Sequence, residues 1–208
     1  LASFATSSIE AHGKRGRRYL TASDYGTAIC RDRIEMLAVG SFRRFFPSDA
    51  DQRVIAANEI VLCDFGGTMN GYCSDITRCV VTGEIPREIA EAYDVLFAAQ
   101  AAGVAAGTVG ASCEDVDRAA REVIARAGFG EYFVHRTGHS IGAEVHGTGA
   151  NMDNLETHDE RRVIPWTCFS IEPGIYLPDF GIRSEVDMFV DETSARVTGE
   201  IQRELVVI

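Results

Sequence analysis

Histidine is scarce in this chain, with five among 208 residues, and positive charge is outweighed, with 20 Lys and Arg against 31 Asp and Glu. The net charge of −11 removes the basic face that a duplex nucleic acid would need, so no nucleic-acid partner is expected. The one basic cluster, Lys14, Arg15, Arg17 and Arg18, reads as a solvated face. Long apolar runs are missing as well. Ile60 to Cys63 and Cys79 to Val81 fall far short of the roughly 20 residues of a membrane span, so no membrane partner is expected. Leu1 to Glu10 lacks a basic leader before an apolar run, and no signal peptide is expected. Cys30, Cys63, Cys73, Cys79, Cys113 and Cys168 show no CxxC spacing, and reduced thiols in a cytoplasmic protein are the simplest reading.

What remains is ordinary globular composition, 46% hydrophobic and 25% charged, which predicts a single domain over residues 1–208. Residues 1–40 carry weak periodicity. Ile60 to Phe65 is β-rich, Gly66-Gly67 gives a turn signal, and Tyr72 to Val81 resumes a strand pattern, which together predict a hairpin. On paired strands Asp64 and Asp75 face one another, while Cys63 points to the opposite side as core packing. Pro86 opens a helix running to about Gly107, with Ile89, Tyr93, Leu96 and Phe97 on one face. Ser112 with Asp115 reads as a capping box for a second helix, which Gly128 stops. His135 to Gly149 reads as strand and loop. Trp166 to Glu172 alternates like a strand, Pro173-Gly174 turns the chain, and Gly181 to Val190 follows as a strand, so that Glu172 and Glu185 flank a turn.

Asp64, Asp75, His139, Glu172 and Glu185 therefore form a candidate metal site assembled from three distant segments. Oxygen dominates, which suits a hard divalent ion, and four carboxylates carry charge enough for two. The imidazole favours manganese, cobalt or zinc over calcium. Three of the five histidines fall in HRTGHSIGAEVHG, residues 135–147, where His139 is the ligand candidate and His135 and His146 are placed to donate hydrogen bonds to a substrate or intermediate. Arg183, two residues before Glu185, shares its face on a strand and is placed to hydrogen-bond a ligand carboxylate.

Together with DFGGTMNGYCSDITR at 64–78 and SIEPGIYLPDFGIRSEVD at 170–187, that histidine segment resembles the pita-bread metallopeptidase family, which includes methionine aminopeptidase, aminopeptidase P and prolidase. The likeness runs from about Arg53 to the C-terminus and is nearer the aminopeptidase P and prolidase branch. It implies an α+β pita-bread fold, a pseudo-symmetric curved antiparallel sheet covered by helices, here without its first helix and with a divergent segment over 1–40. It also implies two divalent ions, manganese first and cobalt or zinc behind it. Asp64 would bind one metal, Asp75 and Glu185 would bridge, and His139 with Glu172 would complete the second site. A metal-bridging hydroxide would attack an Xaa-Pro bond of a small peptide, Glu172 would shuttle the proton, and His135, His146 and Arg183 would assist. A homodimer is part of the same expectation. These peptidases carry a further histidine upstream of the first aspartate, whereas here Phe45-Phe46-Pro47-Ser48 stands in that neighbourhood and no histidine lies between His12 and His135. Two other readings stay open: hydrolysis of a cyclic or modified amide, and a non-catalytic binding module on the same fold.

Overall fold

The computed structural model describes residues 33–41, 55 and 57–208. Strand β1 (Arg33–Ser41) pairs antiparallel with β2 (Ile60–Met69), which pairs with β3 (Tyr72–Val81). The β2–β3 hairpin is expected from the sequence, but its turn lies further on. Asn70 and Gly71, at φ 52° and 82°, supply the two left-handed residues that a tight hairpin turn requires. Gly66-Gly67 instead remains in the strand, because a Cβ at Gly66 would lie 2.4 Å from the Ser74 carbonyl oxygen. Alternation sends Ile60, Leu62, Cys79 and Val81 into one core and Val61, Cys63, Phe65 and Val80 into another, so Cys63 packs on the face away from Asp64, as expected. Asp64 pairs with Thr77 and Asp75 with Gly66, so the two aspartates share a face but sit diagonally, two residues apart, and not directly opposite.

Helices α1 (Arg87–Ala106) and α2 (Cys113–Arg126) follow. The former is long and apolar enough, by length and composition, to cross a membrane, although short apolar runs alone do not show it. Its buried stripe, Ile89, Ala92, Tyr93, Leu96, Ala99, Gln100 and Gly103, packs into the protein, and fully burying a side chain such as Leu96 contributes roughly 1.5–3 kcal/mol. At the start of α2, Ser112 is the N-cap but makes no side-chain cap bond, so the expected capping box is absent. The Arg161 and Asp159 carbonyls accept the Cys113 and Glu114 N–H groups at 2.9 and 3.0 Å and satisfy that end. Gly128, at φ 88°, follows the last turn.

The second half of the chain builds the sheet order β4-β5-β8-β9 from β4 (Ser140–Ile141), β5 (Cys168–Ile171), β8 (Val186–Val190) and β9 (Ala195–Thr198). Between β5 and β8, strands β6 (Gly174–Tyr176) and β7 (Gly181–Arg183) form a separate hairpin. Ile171 pairs with Val186 and Gly174 with Arg183, so one register runs through both pieces and places Glu172 opposite Glu185 at the break. Pro173, with no N–H, interrupts the ladder there but does not turn the chain. The reversal lies at Leu177–Phe180, where the Leu177 N–H bonds the Phe180 carbonyl at 2.8 Å. β10 (Val206–Val207) runs parallel to the end of β3. The upstream neighbourhood Phe45 to Ser48, and most of the segment read as divergent, lie outside the described residues.

Candidate metal centre

The outer edge of β3 joins the two halves. Beyond its short pairing with β10, the N–H groups on that edge need partners from elsewhere. The Cys73 N–H donates to the Gly142 carbonyl at 2.8 Å, and the Asp75 N–H donates to Asp187 Oδ2 at 3.0 Å. Arg78 donates to the Glu185 carbonyl at 2.8 Å, and Cys79 exchanges two bonds with the Gln202 side chain. These bonds bring the Asp75 face of the first hairpin against Glu185 on the second.

His139 arrives from the helical side. Asp117, wholly buried on α2, accepts the Thr137 N–H and hydroxyl at 2.9 and 2.8 Å and pairs with Arg121, which donates to the carbonyls of Phe133 and His135. The 137–141 segment then runs along β5, with the Glu172 N–H on the Thr137 carbonyl and the Ser170 N–H on the His139 carbonyl. Gly138 permits this approach, since a Cβ there would lie 1.9 Å from the Ser170 carbonyl oxygen.

The result is a buried cluster in which Asp75, His139 and Glu185 each offer a ligand atom within 4.8 Å of the others. His139 Nδ1 faces the Ser140 carbonyl at 3.2 Å, which leaves Nε2 aimed at Asp75 Oδ2 and Glu172 Oε1, at 3.5 and 3.4 Å. Thr77 donates to Glu185 Oε2 at 2.6 Å and accepts from Arg183 Nε at 2.9 Å. Arg183 is buried and also bonds Asp64 Oδ2. Ser170 donates to Glu172 Oε1 at 3.2 Å. The structure thus gathers all five candidate ligands, but only three into one tight triangle. Asp64 is held by Arg183, with the Asp75 carboxyl beside it.

Burial pushes the Asp64 carboxyl up to about 7; Arg183 opposes this, while Asp75 and Glu172 add to it. Burial likewise raises Glu172, and it raises Glu185 well above the carboxylate range, with Glu172 and Asp75 as charged neighbours. Burial works against a charge on His139, but Asp75 and Glu172 outweigh it and hold its pKa above the ordinary value. Asp64 Oδ1, Asp75 Oδ1 and Glu185 Oε1 are buried without a hydrogen-bond partner among the described residues. Such a concentration of unsatisfied, mutually repelling acceptors fits a cationic occupant and no apolar one. The donor set is oxygen with one imidazole, which suits a first-row divalent ion.

His146 is exposed, with its ring 4.4 Å from that of His139. His135 lies deeper. Its Nδ1 donates to the Arg136 carbonyl at 2.7 Å and its Nε2 sits 2.8 Å from the Tyr176 hydroxyl. Burial, with Arg183 nearby, pushes its pKa down to about 3, so the ring is neutral and Nε2 accepts. In place of a donor aimed at a substrate, His135 presents an acceptor that Tyr176 fills. Thr77, Ser170, Tyr176 and Asp187 belong to the centre and are absent from the sequence reading. Three of them were within reach of the rule that selected Arg183, since Thr77, Ser170 and Asp187 each lie two residues from a candidate ligand on an extended segment.

The sequence pattern of metallopeptidase family M24 matches residues 20–192. The chain belongs to metallopeptidase family M24. The M24 match begins well before Arg53, where the resemblance alone was placed. Among M24 relatives, the uncharacterized peptidase YqhT of Bacillus subtilis (strain 168) is 35% identical over 176 residues, covering 84% of this chain and 49% of that protein. The Xaa-Pro dipeptidase of Pyrococcus furiosus is 34% identical over 157 residues, covering 75% of this chain and 44% of that protein. The crystal structure of dipeptidase PepE from Mycobacterium ulcerans superposes with a TM-score of 0.83 at 34% identity, covering 96% of this chain and 56% of that one. The α+β pita-bread architecture is therefore the fold, and the chain spans about half the length of the curated relatives it matches.

Proposed function

We propose that this chain carries the catalytic domain of a peptidase that hydrolyses an Xaa-Pro bond in a small peptide with two divalent ions, manganese first and cobalt or zinc behind it. Asp64, Asp75, His139, Glu172 and Glu185 would hold them. The observation that carries this reading is the buried triangle of Asp75, His139 and Glu185, with unpartnered carboxylate oxygens turned to no protein donor among the described residues. Bound ions would supply a water that ionises near neutral pH and a Lewis acid for the scissile carbonyl.

The chain's own residues do the rest. Glu172, fixed by Ser170 and 3.4 Å from His139 Nε2, takes and returns the proton. Arg183 holds Asp64 and, through Thr77, orients Glu185. Exposed His146 offers its ring to the substrate carbonyl. Neutral His135 fixes the Tyr176 hydroxyl, which in turn bonds Arg183, so it serves as a positioning residue. A homodimer in the cytoplasm completes the proposal. The gap without histidine between His12 and His135 favours, as a second reading, a different amide.

The test loads chelator-treated protein with manganese, counts bound metal by elemental analysis, and assays Xaa-Pro dipeptides and Xaa-Pro-Xaa tripeptides beside cyclic amides. Two ions per chain with turnover of the proline peptides is the expected result. Metal uptake with turnover of a cyclic amide alone selects the second reading, and metal without any turnover selects a binding module. Uptake no greater than that of Asp75→Asn overturns the metal reading itself.

A further inference from the structure

The face that carries the centre continues past it. On β5 and β8, alternation that turns Ser170 and Asp187 toward the centre also puts Cys168 and Phe189 on that side. Ile141 pairs with Cys168, and Arg196 with Phe189, so the same face widens into a cleft of ≈ 1300 Å³. Its walls include Ile141, Cys168, Phe189 and Trp166, its far end Arg196, and its near end Asp187.

Three features there are not fully used by the fold. Asp187 is 3% exposed; one oxygen takes the Asp75 N–H and the other, Oδ1, has no partner among the described residues. Trp166 is 67% exposed at φ 65°, a left-handed conformation that disfavours a bulky side chain, and its ring lies 6.2 Å from that of Phe189. Arg196 lies over the Phe189 ring at 5.4 Å; its charge reaches Asp191, but no carboxylate pairs with it within 4 Å among the described residues. Along β8, at about 3.3 Å per residue, Asp187 stands about 7 Å from Glu185 and Phe189 about 13 Å, so an extended peptide covers the distance with roughly four residues.

We propose that this cleft binds the distal part of an extended peptide. An apolar or aromatic residue packs on Trp166 and Phe189, the peptide's C-terminal carboxylate meets Arg196, and a backbone N–H meets Asp187 Oδ1. This deepens the peptidase reading and rests on it for the identity of the ligand, not for the existence of the subsite.

Trp166 is the only tryptophan in the chain, so its emission reports the cleft directly. The probe is the pentapeptide Ala-Pro-Ala-Ala-Phe, with Ala-Pro and the C-terminally amidated pentapeptide as controls. Saturable blue-shifted emission is expected with the pentapeptide and not with Ala-Pro. Amidation, or Arg196→Ala, should weaken that response at least five-fold. In turnover, the ratio of kcat/KM for the pentapeptide to that for Ala-Pro should fall at least five-fold in Trp166→Gly, a substitution that suits the φ of 65°. An emission shift without hydrolysis leaves the subsite standing and removes the peptidase reading. Hydrolysis of both peptides with no emission change removes the subsite and leaves the peptidase. A blue shift that follows protein concentration alone assigns the cleft to a second copy of the chain and overturns the proposal.

Discussion

The two carboxylate hairpins solve the same problem by opposite means. In β2–β3 the ladder is unbroken from Ile60–Val81 to Met69–Tyr72, and Asp64 and Asp75 project from within it. In the second half the ladder stops at the acids themselves, leaving Glu172 and Glu185 facing across a gap between β5–β8 and β6–β7. An unbroken ladder fixes side chains by register alone. A broken one leaves the backbone beside each acid to be anchored separately, and here the anchors are Thr137, the Pro173 carbonyl and Arg78. The first hairpin is thus a rigid edge, and the second is held in place by the rest of the fold.

Removing the acid that the broken ladder presents tests this most severely. Glu185→Gln should lower metal affinity about 10³-fold, equivalent to about 4 kcal/mol, measured by titration calorimetry. The metal-free protein should melt higher than wild type, because Glu185 Oε1 is buried unpartnered among like charges. A variant that lost stability without metal would show that the acids are not strained against one another. Gly138→Ala comes next. Its Cβ would meet the Ser170 carbonyl oxygen, so the 137–141 segment must leave β5, and about 3 kcal/mol of stability should go with it in urea melts. Gly71→Ala, with nothing within 4 Å of its Cβ, bears only the cost of its φ and should lose less.

The unbroken hairpin was legible in the sequence because β-rich runs and an alternating pattern report a ladder directly. Its turn was misplaced because Gly66-Gly67 serves close strand approach, a need visible only once Ser74 is opposite. Glu172 and Glu185 could be recognised, but the arrangement around them was not: Pro173-Gly174 looks like a turn whether or not the chain reverses. β1 went unread because Arg33–Ser41 gains its partner only from β2, with pairs from Ser41–Val61 to Arg33–Thr68. Asp187 was omitted: its spacing from Glu185 puts it on the same face, but its partner, the Asp75 backbone N–H, is supplied by a strand 112 residues away and leaves no mark in the local pattern.

That omission supplies the next test. Asp187→Ala strips the Asp75 N–H of its acceptor while leaving all five candidate ligands in place. If the rigid hairpin needs only its register, metal affinity should hold; if the seam between the hairpins matters, it should drop about 10- to 100-fold, the usual effect of removing a group that orients a ligand. We expect the drop, with Asp187→Asn recovering most of it, because an amide oxygen still accepts. Full affinity in Asp187→Ala would mean that the two hairpins are aligned elsewhere.

The mildest effect should come from acids that are buried but satisfied. Asp159 accepts from the N–H groups of Asn151 and Arg161 and from the Arg161 guanidinium, and Arg161 beside it holds its carboxyl below the usual range. A depressed folded-state pKa means stability that is present above the unfolded value of about 3.9 and lost as pH falls through the folded one. Asp159→Asn should therefore cost about 1–2 kcal/mol at neutral pH. The gap from wild type should close as the pH is taken well below 4, followed by urea melts. The centre behaves in the reverse sense, because burial raises Asp64, Glu172 and Glu185, so acid relieves repulsion there while it loosens the 151–165 loop. Were Asp159→Asn to keep its full deficit at pH 3, the loop would owe its order to packing, and the contrast between satisfied and unsatisfied acids would not explain where this protein is stable and where it is poised to bind.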